Sequence, residues 1–352
     1  LLIISKYHLV LIAVYGTMFS PEVPRAVVLI AGWLFCAFVL VLVFMLLTDV
    51  ASGVIAARRK MPWKHVVGGR LRSAIAVTAL LLSAVGVYQA VQLPGVRRIN
   101  VTVESLPRSL DGLRIVQLSD LHISRLFQAD WVEGVVSRAN ALDADAIFIT
   151  GDLIDGTVDA RKKDVAPLSK LTAPLGVIAV PGNHEYYFDA EQWMAEFERL
   201  GMRVLVNEHA ILRPGADQLV VAGVTDEVAP AYGHEGPDLT QALAGAPKDT
   251  PTILLKHRPV GASESAAAGV GLQLSGHTHG GMISGLDLVA GYANQGFVSG
   301  SYDVDRMKLY VSNGTALWNG FPIRLGVPAE ITEIVLRASP TLEEHAARRT
   351  SP

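Results

Sequence analysis

Hydrophobic and polar positions follow two different textures along this chain. The first ninety residues are apolar in long runs, and from Asn100 onward the runs are short and interrupted. Residues 26–48 carry no charge, and 73–93 form a second uncharged stretch. At ~1.5 Å per helical residue, each is long enough to cross a hydrocarbon core of ~30 Å. Each therefore predicts a transmembrane helix; a helix buried in a protein core is the alternative, and it rarely runs this long. A third run, 1–19, is interrupted by Lys6 and His8 and closed by Pro21 and Pro24. It predicts a further span, with a cleaved signal peptide as the competing reading. Its basic residue lies inside the apolar run, not ahead of it, which counts against the signal peptide.

Beyond Asn100 the pattern becomes one of brief apolar strands separated by helix-like segments. Val101 and Val103 alternate with polar neighbours, as a surface strand requires. Apolar runs at 113–118, 146–150, 176–180, 252–256 and 271–274 read as strands. Between them, 129–142 is amphipathic, 164–171 is a short helix candidate, and 189–200 opens at an acidic N-cap, Asp189, and stops at Gly201. Strands dominate after Gly201, at 203–206, 210–213 and 218–224; helix-like stretches follow Asp238 and cover 260–268, and late strands are expected at 309–312 and 331–336. Such alternation argues for layered α/β or α+β packing, with the chemistry on loops at strand ends. The expected organisation is a membrane region over 1–95, a globular domain over 99–337 and a loose tail over 338–352.

Composition changes this picture little. Half of the 352 residues are hydrophobic, an excess concentrated in the N-terminal runs. The net charge of −3 offers no general polyanion-binding surface, so no nucleic-acid partner is expected. A single cysteine, Cys36, rules out both a disulfide framework within the chain and a thiolate zinc site. The chain opens on Leu1 and not on methionine, as expected of a fragment or an alternative start. Charge does orient the membrane region. Arg58, Arg59, Lys60, Lys64, Arg70 and Arg72 lie between the two strong spans, whereas Arg25, ahead of the first, is balanced by Glu22. By the positive-inside rule the basic loop is cytoplasmic and everything after the second span lies outside the cytoplasm. Arg97, Arg98 and Arg108 oppose this without outweighing it.

Candidate chemistry gathers where the strands run out. Asp120-Leu121-His122 follows the run ending at Leu118, Gly151-Asp152 the run ending at Thr150, and Gly182-Asn183-His184-Glu185 the run ending at Val180. His257 follows 252–256, and Gly276-His277-Thr278-His279-Gly280-Gly281 follows Ser275. Chance would have to place five such ends in one chain that holds ten histidines. If the His277–His279 backbone is extended, both imidazoles point the same way and reach one point in space. The donor set of Asp120, His122, Asp152, Asn183, His184, His257, His277 and His279 mixes hard oxygens with imidazoles. It suits Mn, Fe or Zn and argues against calcium. There are enough ligands for two ions, with one carboxylate bridging. Two ions ~3.5–4 Å apart clamp the attacking and leaving oxygens in phosphoryl hydrolysis and lower the pKa of bound water.

These five blocks, in this order, resemble the calcineurin-like metallophosphoesterases over Gly112 to about Leu336. The Gly-His-Thr-His-Gly-Gly block and the stretches Phe321-Pro322-Ile323-Arg324 and Glu330-Ile331-Thr332 resemble its membrane-attached phosphodiesterases, typified by the YkuE and YaeI proteins. Met282 stands where that subgroup usually has glutamine, so a substrate contact may differ there. The resemblance implies a four-layer αββα sandwich behind N-terminal transmembrane helices, with two divalent metals between the sheet ends. It implies that Asp120, His122 and His279 bind the first metal, that Asn183, His257 and His277 bind the second, and that Asp152 bridges. His184 would be a catalytic group and not a ligand, steadying the phosphoryl oxygen or protonating the leaving group.

The function expected is therefore membrane-anchored, two-metal hydrolysis of a phosphoester, and of a phosphodiester in particular, on a lipid-linked or cell-envelope substrate. The alternatives are a UDP-2,3-diacylglucosamine pyrophosphate hydrolase, which needs a cytoplasm-facing site, and a non-catalytic sensor or scaffold with a vestigial site. Other polar residues carry blander readings. Asp155 is either a loop cap or a group that orients the site, and Arg324 binds a phosphate or forms a structural ion pair. Asp226 reads as a turn residue, His209 and His234 as surface, and Trp193 with Phe197 as core at helical spacing.

Overall fold

The computed structural model describes residues 20–60, 62, 68–104 and 106–339. The expected span over 1–19 and nearly all of the expected tail lie outside the described residues. Two long helices come first, α1 (Arg25–Arg59) and α2 (Gly69–Ala90), and both are long and apolar enough to cross a membrane. Their outward faces stay apolar, with Leu42, Leu46, Val77 and Leu81 exposed. The uncharged run 26–48 therefore forms one helix that continues to Arg59.

Strand β1 (Gly95–Val103) begins five residues after α2 ends, so the globular domain starts directly at the helix terminus. Two mixed six-stranded sheets build that domain. The first has the order β1, β12 (Glu330–Ala338), β2 (Arg114–Leu118), β3 (Ala146–Thr150), β4 (Val177–Val180) and β5 (Arg203–Val204). Strands β2 to β5 are parallel, β12 runs antiparallel to β2, and β1 is parallel to β12. The second sheet has the order β10 (Gly300–Val304), β11 (Met307–Val311), β9 (Leu272–Ser275), β8 (Thr252–Leu255), β7 (Leu219–Gly223) and β6 (Glu208–Leu212). Its four central strands are parallel, with antiparallel edges.

Burial explains the patterns. Strands β3, β4, β8 and β9 are buried at every position, because both faces of a central parallel strand are covered. The inner faces of the two sheets meet in one core that includes Ile115, Phe148, Val180, Val221, Ile253 and Leu274. On the outer face of the first sheet pack the helices α3 (Ala129–Asn140), α4 (Val158–Val165) and, after the short α5 (Asn183–Tyr187), α6 (Ala190–Arg199), through Val132, Val165, Trp193 and Phe197. The second sheet is covered by α7 (Leu239–Ala242) and α8 (Ala262–Ala267). This is the expected αββα layering.

Local signals account for most boundaries. Asp189 accepts a hydrogen bond from the Gln192 amide and starts α6, and Gly201 at φ 94° ends its final turn. Asp238 caps α7 in the same way. The helix expected over 164–171 instead begins at Val158 and passes into a 3₁₀ segment at Ala166, because Pro167 cannot donate to an α-helical ladder. Strand β10, polar and at the sheet edge, carries no apolar run that would announce it.

Candidate metal centre

Every candidate residue sits just past the C-terminal end of a parallel strand. Asp120 and His122 follow β2, Asp152 follows β3, Asn183 and His184 follow β4, His257 follows β8, and His277 and His279 follow β9. The parallel register of β2, β3 and β4, and of β8 and β9, brings these ends together. Seven of the eight are buried and His277 is half-buried.

The side chains form overlapping groups. Asp120, His122 and His279 make one, with the Nε2 atoms of His122 and His279 at 3.2 Å and Asp120 Oδ1 at 3.6 Å from His279 Nε2. Asp152, His257 and His277 make another, with His277 Nδ1 at 3.2 Å from His257 Nε2. Asp152 joins them through one oxygen. Its Oδ1 accepts the His184 backbone amide at 2.8 Å. Its Oδ2 lies 3.2 Å from His257 Nε2, 3.8 Å from His122 Nε2 and 3.9 Å from His184 Nε2. One oxygen thus faces both groups.

His277 and His279 do not share one point, which corrects the expectation from an extended backbone. Thr278 is helical, and His277 and His279 both lie at positive φ, 70° and 49°. The turn sends one ring to each group. Positive φ recurs at Asp120, His122 and Asp152. Five non-glycine site residues in the left-handed region represent backbone strain held by the surrounding fold, of the kind found at functional sites. Asp and His are among the types that tolerate it best, which limits the cost. Two glycines of the motifs have steric reasons. A Cβ at Gly151 would meet the Gly182 amide nitrogen at 2.6 Å and His257 Nδ1 at 2.7 Å. One at Gly276 would overlap Ser119 and Asp120.

A surrounding layer fixes the rings. His257 Nδ1 donates to the Thr150 carbonyl at 2.7 Å, which leaves Nε2 as the atom facing Asp152. Asp155 receives His122 Nδ1 at 3.2 Å and His184 Nδ1 at 2.5 Å. It is fully buried and orients two rings at once, so the loop-cap reading fails. Glu185 accepts the backbone amides of Asp152, Leu153 and Gly182 and ties the β3 and β4 loops together. Orienting the site was one of the two readings of Asp155 from the sequence; the role of Glu185 was not legible, although it stands directly after His184. Arg324 makes no ion pair among the described residues. It is buried and donates to the carbonyls of Asn313 at 2.7 Å, Ala316 at 2.9 Å and Val327 at 3.2 Å, clasping the loop behind His279. Asp226 is buried, takes the Val228 amide in a turn and pairs with Arg258 at 2.9 Å. His209 and His234 lie away from the centre and are half-buried, and Trp193 stacks on Phe197 in the core. Met282 is half-buried in the turn after His279.

The electrostatics are those of a site with uncompensated charge. Burial lowers the pKa of His184, and Asp152 and Asp155 more than offset it, raising it to about 9. Burial likewise opposes protonation of His257, while Asp152 and Asp120 raise it to about 10. His277 and His279 are pushed well down, first by burial and then by neighbouring cations. The donor chemistry fits divalent ions. Within two small buried volumes stand three carboxylates and five imidazoles. Asn183 Oδ1 is buried with no hydrogen-bond partner among the described residues, a costly omission unless a cation completes it.

Comparison with known proteins agrees. The family model described as calcineurin-like phosphoesterase matches residues 113–281. A transmembrane protein with metallophosphoesterase domain from Bos taurus is 38% identical over 341 residues, covering 91% of this chain and 76% of its own. An uncharacterized metallophosphoesterase of Helicobacter pylori strain 26695 is 33% identical over 253 residues, covering 71% of this chain and 66% of its own. The uncharacterized metallophosphoesterase YkuE of Bacillus subtilis is 29% identical over 242 residues, covering 66% and 82%. The family uses two divalent metals, and the buried His/Asp groups that meet at Asp152 are placed where such a pair would be held. The matched blocks, the two sheets that carry them and the relatives lead to one assignment: this chain belongs to the calcineurin-like metallophosphoesterases and is a metal-dependent phosphoester hydrolase.

Proposed function

We propose that this protein is a membrane-anchored phosphodiester hydrolase with a two-metal centre. The observation that carries the proposal is Asp152 Oδ2, a single carboxylate oxygen facing both histidine groups. Asp120, His122 and His279 would hold one ion; Asn183, His257 and His277 would hold the other; Asp152 would bridge. Bound there, the pair supplies positive charge to the phosphoryl oxygens and acidifies the attacking water.

The remaining chemistry belongs to the chain. His184 is held by its backbone amide on Asp152 Oδ1 and by its Nδ1 on Asp155, which fixes the ring beside the two groups. Its Nε2, 3.9 Å from Asp152 Oδ2, would donate a proton to the departing alkoxide. Asp155 accepts from Nδ1 and, with Asp152, favours the imidazolium, whose second proton sits on Nε2. The Tyr187 ring lies tilted against the His184 ring, with centroids 5.1 Å apart.

The membrane reading rests on α1 and α2 and on relatives named as transmembrane proteins. We place the chain as a multi-pass protein whose domain, over 99–337, lies outside the cytoplasm. A lipid-linked or envelope phosphodiester fits that placement, whereas the UDP-diacylglucosamine reaction needs the opposite one. A vestigial scaffold draws no support from a site with every motif residue in place. The direct test is turnover of bis(p-nitrophenyl) phosphate by the full chain in detergent, with metal content measured on the same sample. Activity should vanish with a chelator and return with Mn, Fe or Zn. A protein that binds two ions per chain and turns over no phosphoester would overturn the proposal.

A further inference from the structure

The depth of the domain relative to the bilayer can be read from the helices. Asp49 of α1 pairs with Arg72 of α2 at 2.6 Å, and neither helix carries a charge between that pair and its domain end, apart from Arg25 at the first residue of α1. A charged pair marks one boundary of the hydrocarbon layer. A layer of ~30 Å at ~1.5 Å per residue takes up about 20 residues. Counted back along α1 from Asp49, the far boundary falls near Leu29. The contacts of the loop 321–325 lie inside it. Pro322 packs where a Cβ on Gly32 would meet its ring at 2.7 Å. Phe321 meets Phe35 edge-on at 6.2 Å, and Ile323 is fully buried in a cluster with Cys36, Leu40, Ala79 and Val87. The catalytic domain thus sends a loop into the layer that α1 and α2 span.

The same apolar cluster includes Ile283, whose neighbour Ser284 donates to the Leu325 carbonyl at 2.9 Å. The chain then enters helix α9 (Asp287–Ala293), of which only Gly291 is buried. Leu286 is 43% exposed, Leu288 80%, Val289 70% and Tyr292 96%; the last three are the highest values for large apolar side chains outside α1 and α2 among the described residues. Leaving such groups in water forfeits the ~25 cal/mol per Å² that burial returns. The helix also leans on the metal centre: a Cβ on Gly281, two residues after His279, would meet Asp287 Cα at 3.0 Å.

We infer that α9 is seated in the headgroup–acyl boundary of the bilayer that α1 and α2 cross, with Leu286, Leu288, Val289 and Tyr292 as its inserted side chains. The lipid surface is the occupant because α9 emerges directly from the embedded contact of Ile283 with the 321–325 loop. The polar side of α9, with Asp287 accepting the Gly285 amide at 3.0 Å, remains at headgroup level. The His277–His279 turn is then held against the surface, where the phosphoester of an amphiphile lies. The substrate part of this inference rests on the hydrolase reading above; the seating of α9 does not.

The two parts are tested separately. In the full chain with Cys36 replaced by Ala, Tyr292→Cys carries an environment-sensitive nitrobenzoxadiazole label in phosphatidylcholine–phosphatidylglycerol vesicles, and Glu198→Cys on α6 is the aqueous control. The label at 292 should emit to the blue and be quenched severalfold by lipids spin-labelled near the headgroup, with no effect at 198. Emission at 292 like that at 198 would overturn the seating. So would shielding that follows protein concentration and ignores the lipid quencher, the mark of a second copy. In the activity arm, Leu288→Asp with Val289→Asp should lower kcat/KM at least tenfold on a fluorogenic phosphodiester lipid in vesicles and leave bis(p-nitrophenyl) phosphate unchanged. Equal loss on both would show that α9 only supports the turn. If the parent protein cleaves neither, the hydrolase reading fails while the label result stands.

Discussion

Asp152 carries a negative charge between the two histidine groups where the proposal puts two cations, so its neutral amide is the sharpest single change. Asp152→Asn keeps the shape and the acceptor for the His184 amide but removes the charge between both groups. Turnover should fall by orders of magnitude with the fold largely intact, read by rates and metal content together. Near-normal turnover at full occupancy would reject the bridge. His184 and His279 should separate. His184→Ala is expected to keep both metals and to lose more rate on alkyl diesters than on nitrophenyl esters, up to the ~10²–10⁴-fold typical of acid catalysis. His279→Ala should lose metal and slow both. Asp155→Asn, which weakens the hold on His122 and His184, should lower metal affinity by roughly 10–100-fold. In the metal-free protein His184 sits at about 9 against ~6.5 when unfolded, a raised pKa. Its stabilisation is fully present below ~6.5 and is lost as pH rises through about 9. The fall in melting temperature of metal-free protein across that window should shrink in His184→Ala. It should not disappear, because Asp152 and Asp120 hold His257 at about 10.

At the scale of elements, two glycines admit the 321–325 loop between α1 and α2. Gly32 faces Pro322, and a Cβ on Gly86 would overlap the Ile323 side chain. Gly86→Leu should overpack this joint, at about 1–3 kcal/mol. Gly53→Leu, on the same helix hairpin with nothing within 4 Å of its Cβ, is the control. A lower melting temperature and faster proteolysis of the loop in the first and not in the second would confirm the joint; equal behaviour would refute it. The helices α3 and α6 were readable from their apolar faces and from Asp189. The short start of α4 and the edge strand β10 were not, since neither carries an apolar period long enough to stand out. The seating of loop 321–325 was also hidden. Pro322 and Ile323 look like any surface turn until α1 is seen beside them.

At the largest scale, the described chain joins two long apolar helices to a sandwich, with only residues 91–94 between α2 and β1. Its orientation is testable as a unit. A phosphatase reporter fused after Leu336 should be active in a bacterial host and a cytoplasm-only fluorescent reporter dark; the reverse would turn the domain inward and favour the UDP-diacylglucosamine reading.

The sequence by itself determined the layered class, the strand ends, and the acidic and imidazole residues that gather there, because apolar periodicity and residue type are local properties. It determined the two long apolar helices for the same reason. Tertiary structure alone decided which ring goes to which group, since a one-residue turn at Thr278 sends His277 and His279 apart. It decided that one oxygen of Asp152 serves both groups while the other is spent on an amide. It also gave Asp155, Glu185 and Arg324 their work. Their partners lie on other strands and loops, and no spacing along the chain encodes a contact that exists only after the sheets have packed.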